Sequence, residues 1–140
     1  MFDFFQKKKK SRRAKILVVD DEPNIVQTLQ DRLEMNDYQV ITAADGKEGL
    51  EKATSERPDI VLLDVIMPIM DGLEMLERLR KNDPTRDLPV IMLTARSQSQ
   101  DITRANSYGI EDYVVKPFDL SELLEKIQAI LENKKVLSGV

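Results

Sequence analysis

Short runs of branched apolar residues recur at Ile16 to Val19, Val40 to Ala43, Ile60 to Leu63, Val90 to Leu93 and Tyr113 to Val115. Their length and composition predict five strands. Four of the runs lack any alternation of apolar with polar residues, as expected of strands covered on both faces in a parallel sheet flanked by helices. Between the runs the spacing changes. Ile25, Leu29 and Leu33 recur at i, i+4 and i+8, and Leu120, Leu123, Leu124, Ile127, Ile130 and Leu131 trace a helical stripe. Asp45 before Gly46, Asp71 before Gly72 and Asp119 before Leu120 each offer a side-chain oxygen where a helix should begin, and Asp119 with Glu122 has capping-box spacing. Pro58, Pro84 and Pro89 fall in the connections. Strand and helix thus alternate five times. This predicts a doubly wound three-layer α/β sandwich, because parallel strands require crossover helices and those helices cover both sheet faces. Sites in such sheets form beyond the carboxyl ends of the strands.

The 140 residues suffice for one well-buried core and fall short of two comfortable domains. Residues 14–133 carry the alternating pattern and are read as the folded domain, with a basic tail at 1–13 and a short C-terminal tail at 134–140. Cysteine and histidine are both absent. Disulfides, thiolate sites, imidazole metal ligands and histidine-dependent triads are therefore excluded, and any chemistry must use carboxylates, hydroxyls and lysine. Residues 1–13 hold six Lys or Arg against one acid, so the formal net charge of −4 leaves −9 on the remainder. An acidic body argues against nucleic-acid binding by the domain. A flexible solvated tail is the preferred reading of 1–13. Attachment to an anionic membrane surface, with Phe2, Phe4 and Phe5 dipping into the interface, is the alternative. No stretch of about 18 apolar residues occurs, and the N-terminus does not have the form of a secretory signal, so a cytoplasmic location is expected.

The predicted strand ends carry the chemistry. The first run ends in Asp20 and Asp21, the third in Asp64, the fourth in Thr94, and the fifth in Lys116 followed by Pro117. Three convergent carboxylates repel unless a pKa rises or a cation binds. An oxygen-only ligand set favours a hard ion, and Mg²⁺ suits a site completed by waters and a phosphoryl oxygen. A carboxylate can also accept phosphoryl as an acyl phosphate, a reaction governed by positioning and charge neutralisation. Asp64 fits that nucleophile, with Thr94 and Lys116 beside the transferred group. Each residue also has a plainer reading: Asp21 as a helix N-cap, Thr94 as a strand former, Lys116 as a solvated charge. Their shared place on one sheet edge favours a site.

The segments ILVVDDEPNI, PDIVLLDVIMPIMDG, PVIMLTA and DYVVKPF, in this order and spacing, resemble the receiver domain of two-component response regulators, over roughly residues 14 to 133. The resemblance implies a flavodoxin-like fold with five parallel strands and five helices. It implies Asp64 as phosphoacceptor, with Mg²⁺ held by Asp20, Asp21, Asp64 and the backbone carbonyl of Ile66. Thr94 and Tyr113 become the switch pair and Lys116 the phosphate-contacting lysine. Ala95 becomes the small residue beside the phosphate, and the Lys116–Pro117 bond is expected to be cis, which proline makes admissible. Ile66 and Arg96 occupy the positions that tune phosphoryl lifetime. Ile110 departs from the smaller residue many relatives carry, leaving the packing at the start of the fifth strand open.

The implied function is a signalling module that takes phosphoryl from a histidine kinase or phosphotransfer partner and catalyses only its own phosphorylation and dephosphorylation. Its output face would be the fourth helix from about Ser97, the fifth strand and the fifth helix, which would engage a downstream protein or a second copy. A receiver cut from a longer DNA-binding transcriptional regulator is an alternative reading. An aspartate-nucleophile phosphatase of the haloacid dehalogenase type would want an acid two residues after the nucleophile, where Ile66 stands. The G-x-x-x-x-G-K-[ST] and G-x-G-x-x-G nucleotide loops are absent.

Overall fold

Each apolar run becomes a strand, and each strand is one residue longer than its apolar part: β1 (Lys15–Val19), β2 (Gln39–Ala43), β3 (Ile60–Asp64), β4 (Val90–Thr94) and β5 (Asp112–Val115). Five helices connect and follow them: α1 (Pro23–Met35), α2 (Gly46–Glu56), α3 (Gly72–Lys81), α4 (Ser99–Ser107) and α5 (Leu120–Leu137). A 3₁₀ turn, Asp83–Thr85, follows α3. A computed structural model of the chain describes residues 14–95 and 99–137. The basic segment 1–13, Arg96, Ser97 and residues 138–140, on which some sequence expectations fall, lie outside the described residues.

All four strand pairings are parallel and the order is β2-β1-β3-β4-β5. This is the flavodoxin-like order, in which the chain reverses its direction of winding between β1 and β3. Alternate residues of the central strands feed two separate cores. Leu17, Val19, Val61, Leu63, Val90 and Met92 face α2, α3 and α4, where they meet Ala53, Leu73, Met75, Leu76, Leu79 and Ala105. Ile16, Val18, Ile60, Leu62, Ile91 and Leu93 face the opposite way, onto Leu29 and Leu33 of α1 and Leu123 and Ile127 of α5. β3 and β4 are buried along their whole length, whereas the edge strands β2 and β5 are only partly covered. That difference explains why the middle runs read as continuous apolar segments.

The helix starts follow the capping chemistry. Asp45 Oδ1 accepts from Glu48 N at 2.8 Å, and Asp71 Oδ1 accepts from Glu74 N at 2.8 Å. Asp119 Oδ1 accepts from Ser121 N at 2.7 Å and Glu122 N at 3.2 Å. A return bond of the capping-box kind occurs at α2, where Glu48 Oε1 accepts from Ala44 N at 2.7 Å. Helix α5 continues to Leu137, past residue 133, where the apolar pattern had suggested a tail. Lys134 Nζ on this extension lies 3.4 Å from the Asp59 carbonyl oxygen, tying it to the turn before β3. Among the described residues no helix is long and apolar enough to cross a membrane.

Candidate functional site

The carboxyl edge of the sheet gathers the polar residues because each strand ends where its apolar run ends. Asp20 follows β1 and is buried, with its N–H donating to the Ala43 carbonyl at 3.1 Å. Asp21 follows and is exposed. Asp64 is the last residue of β3, and Thr94 is the last of β4; both are buried. Lys116 follows β5, and its N–H donates to the Thr94 carbonyl at 2.7 Å, which ties the end of β5 to the end of β4. The Lys116–Pro117 bond is cis, as the family resemblance implied.

The loop from β3 to α3 folds back on the strand it leaves. Gly72 N donates to the Val65 carbonyl at 2.7 Å, and a Cβ on Gly72 would collide with the Asp64 carbonyl oxygen. Only glycine allows this approach. Gly46, at the start of α2, donates to the Met70 carbonyl at 2.9 Å, so the same loop is also held from the next helix. The backbone around Asp64 is thereby fixed from two sides.

One carboxylate oxygen from each of Asp20, Asp21 and Asp64 lies within 4.8 Å of the other two. Three acidic oxygens at that spacing, with no histidine or cysteine in the chain, form a donor set that fits a hard divalent cation. The Lys116 ammonium offsets part of the charge. Its Nζ lies 2.9 Å from Asp20 Oδ2, 3.3 Å from Asp64 Oδ1 and 3.3 Å from Glu22 Oε1. Burial pushes the Asp64 carboxyl up to about 6, helped by the Asp20 charge and opposed by Lys116. Burial acts against the charge of Lys116, yet the hydrogen bond to Asp20 and the charges of Asp20 and Asp64 hold its pKa above the ordinary lysine value.

The structure thus joins Asp20, Asp21, Asp64 and Lys116 in one cluster. Thr94 stands at the same edge, where its hydroxyl donates to the Ala95 carbonyl at 3.2 Å. Ile66 follows in the loop and is 65% exposed, and Ala95 is exposed. Tyr113 lies on the edge strand β5, 44% exposed. The N-cap reading of Asp21 is not what the chain adopts: the cap position of α1 is Glu22, with no side-chain capping bond and Pro23 at the first turn. Ile110 is accommodated, half-buried against the core under α3 and α4.

Two residues escaped the sequence reading. Glu22 joins the site through Lys116, and the only sequence signal for it is that it follows the aspartate pair. Arg80 of α3 donates to the carbonyls of Tyr108, Leu88 and Gly109 at 2.8 Å, to Arg86 at 3.1 Å and to Thr85 at 3.4 Å. It pins the turn before β4 to the turn before β5.

The chain is 43% identical over 121 residues to Response regulator ArlR of Staphylococcus saprophyticus, covering 86% of this chain and 54% of that protein. It is 43% identical over 122 residues to the alkaline phosphatase synthesis transcriptional regulatory protein PhoP of Bacillus subtilis, covering 87% and 50%. The chain therefore spans about half the length of these curated relatives. Its fold matches the receiver domain of Francisella response regulator 1452 with a TM-score of 0.81 at 32% identity, covering 88% of this chain and 100% of that one. It matches the chemotaxis protein CheY4 of Vibrio cholerae with a TM-score of 0.78 at 36% identity, covering 83% and 97%. The model of the response regulator receiver domain matches residues 16–128, and the chain belongs to that family of phosphoacceptor domains.

Proposed function

We propose that Asp64 is the phosphoacceptor of this receiver, and that its donor is a phosphohistidine on a histidine kinase or phosphotransfer protein acting in the cytoplasm. A carboxylate oxygen of Asp64 attacks phosphorus while the bond from phosphorus to the donor nitrogen breaks, and the electron pair leaves with the imidazole. The product is an acyl phosphate on Asp64. The observation that carries this assignment is the contact of the Lys116 ammonium with both Asp64 and Asp20, beside the exposed Asp21 carboxylate. A nucleophile held in place beside a fixed cation suits a transfer limited by positioning and charge.

Asp20, Asp21 and Asp64, with the backbone carbonyl of Ile66, are the residues that would hold Mg²⁺. When bound, the ion would neutralise charge on the transferred oxygens. Lys116 would donate to a phosphoryl oxygen, and the Thr94 hydroxyl would turn from the Ala95 carbonyl to another. Ala95 would leave the phosphate accessible. The outward Tyr113 would then move inward beside Thr94, altering the face made of α4, β5 and α5. That face would bind a downstream protein or a second copy differently after phosphorylation, because a modification shifts a population only through differential affinity. Identical sedimentation with and without beryllofluoride would remove the second-copy arm.

Incubation with acetyl phosphate and Mg²⁺ followed by intact-mass measurement tests the assignment. One labile phosphoryl is expected, and none in Asp64→Asn. Phosphorylation that persists in Asp64→Asn would overturn it. The module would act on itself rather than turn over a separate substrate. A second reading concerns output. Because the chain spans about half of relatives that include a transcriptional regulatory protein, the same receiver would serve as the input half of a longer DNA-binding regulator. The acidic body, −9 outside the first thirteen residues, argues against nucleic-acid contact by the receiver itself.

A further inference from the structure

We infer that Glu22 is a positioning residue that restrains Lys116 and so slows phosphoryl transfer to Asp64. The inference rests on the assignment of Asp64 as phosphoacceptor. A lysine ammonium has three N–H donors and no more. Here three carboxylates surround it: Asp20 Oδ2 at 2.9 Å, Glu22 Oε1 at 3.3 Å and Asp64 Oδ1 at 3.3 Å. Asp20 and Glu22 are also joined directly, since Glu22 N donates to Asp20 Oδ1 at 3.0 Å. The three residues close a ring in which Lys116 bonds the carboxylates of Asp20 and Glu22, while the Glu22 backbone N–H holds the Asp20 carboxylate.

An incoming phosphoryl oxygen must take one of the three N–H groups. Asp64 is the attacking group and Asp20 is fully buried, so neither is easily given up. Glu22 is different: its side chain is 59% exposed while that of Lys116 is only 16% exposed. The Lys116–Glu22 contact is the one that water can replace at least cost, and it is the contact that must open. Exposed ion pairs are worth little, so its loss corresponds to roughly a two- to fivefold change in rate. Glu22 makes no side-chain capping bond to α1, so replacing it leaves the start of that helix intact.

The test uses the full chain with acetyl phosphate and saturating Mg²⁺, and follows acyl phosphate formation by intact mass. In this reaction an Asp64 oxygen bonds to phosphorus, the phosphorus bond to the acetyl oxygen breaks, and acetate leaves with the electron pair. Glu22→Gln removes both the grip on Lys116 and the negative charge. Glu22→Asp keeps the charge at the rim, but its carboxylate is one methylene too short to hold the ammonium. Both variants are expected to be phosphorylated roughly two- to fivefold faster than the parent. Acceleration in Glu22→Gln alone would mean simple repulsion of the anionic donor and would overturn the restraint. Unchanged or slower rates in both variants would overturn it as well. Failure of the parent chain to be phosphorylated, or labelling that survives Asp64→Asn, would instead count against the phosphoacceptor assignment and is separately visible.

Discussion

Replacing Asp64 by Asn should stabilise the metal-free protein at neutral pH and leave it unaffected in acid. Burial at the end of β3 raises the Asp64 carboxyl from 3.8 to about 6. Ionising it in the folded protein is therefore costlier than in the unfolded chain by about 3 kcal/mol, taking 1.36 kcal/mol for each tenfold change in proton affinity. The sign follows from proton linkage. Below pH 3.8 the carboxyl is neutral in both states and the native fold bears no cost. As pH rises through 6 the folded protein must carry the buried charge, and that margin of stability is lost. Asn has nearly the same shape and never ionises, so the gain of Asp64→Asn over the parent should grow from near zero at pH 3.5 to about 3 kcal/mol at pH 8. Urea denaturation followed by far-UV circular dichroism, in EDTA across this range, measures it. A gain that does not change with pH, or a variant less stable than the parent at pH 8, would refute the account of Asp64 as a buried and poorly compensated charge.

Adding Mg²⁺ should raise the unfolding free energy of the parent protein, measured in urea, by about 2.7 kcal/mol at a hundred times the dissociation constant, and the gain should shrink in Asp20→Asn; equal gains would show that the ion binds elsewhere. Arg80→Met should cost about 2 to 4 kcal/mol, since it leaves half-buried carbonyls at Leu88 and Tyr108 without their donor; a change below 0.5 kcal/mol in thermal or chemical unfolding would contradict that. Gly72→Ala should destabilise by about 2 kcal/mol or more, because the added methyl meets the Asp64 carbonyl. It should also slow labelling by acetyl phosphate, and a variant with normal stability and rate would show that the loop yields freely.

Much of this molecule was readable before its coordinates. The five apolar runs became the five strands to within one residue, because the apolar stretches of β1, β3 and β4 are buried on both faces and no polar residue interrupts them. Asp64 and Lys116 could be placed together because strand ends in a parallel sheet share an edge. Three features were not legible, for different physical reasons. Asp21 has the composition of a cap, but Pro23 sets the first turn of α1 and moves the cap position to Glu22. Glu22 reaches the site only through a lysine far along the chain, and that long-range pairing has no local pattern. Arg80 binds backbone oxygens, which every residue possesses, so no residue type advertises its partners.

That last property bears on how freely this region can be rebuilt. A guanidinium clasping main-chain oxygens is indifferent to the side chains that those peptides carry. The side chain at Tyr108 could be changed without severing the clasp, provided the path of the chain stays the same, whereas Gly109 must keep its glycine because its φ of +78° is one that other residues rarely adopt. Insertion of even one residue there would misalign the oxygens, so in this region length is constrained more tightly than spelling.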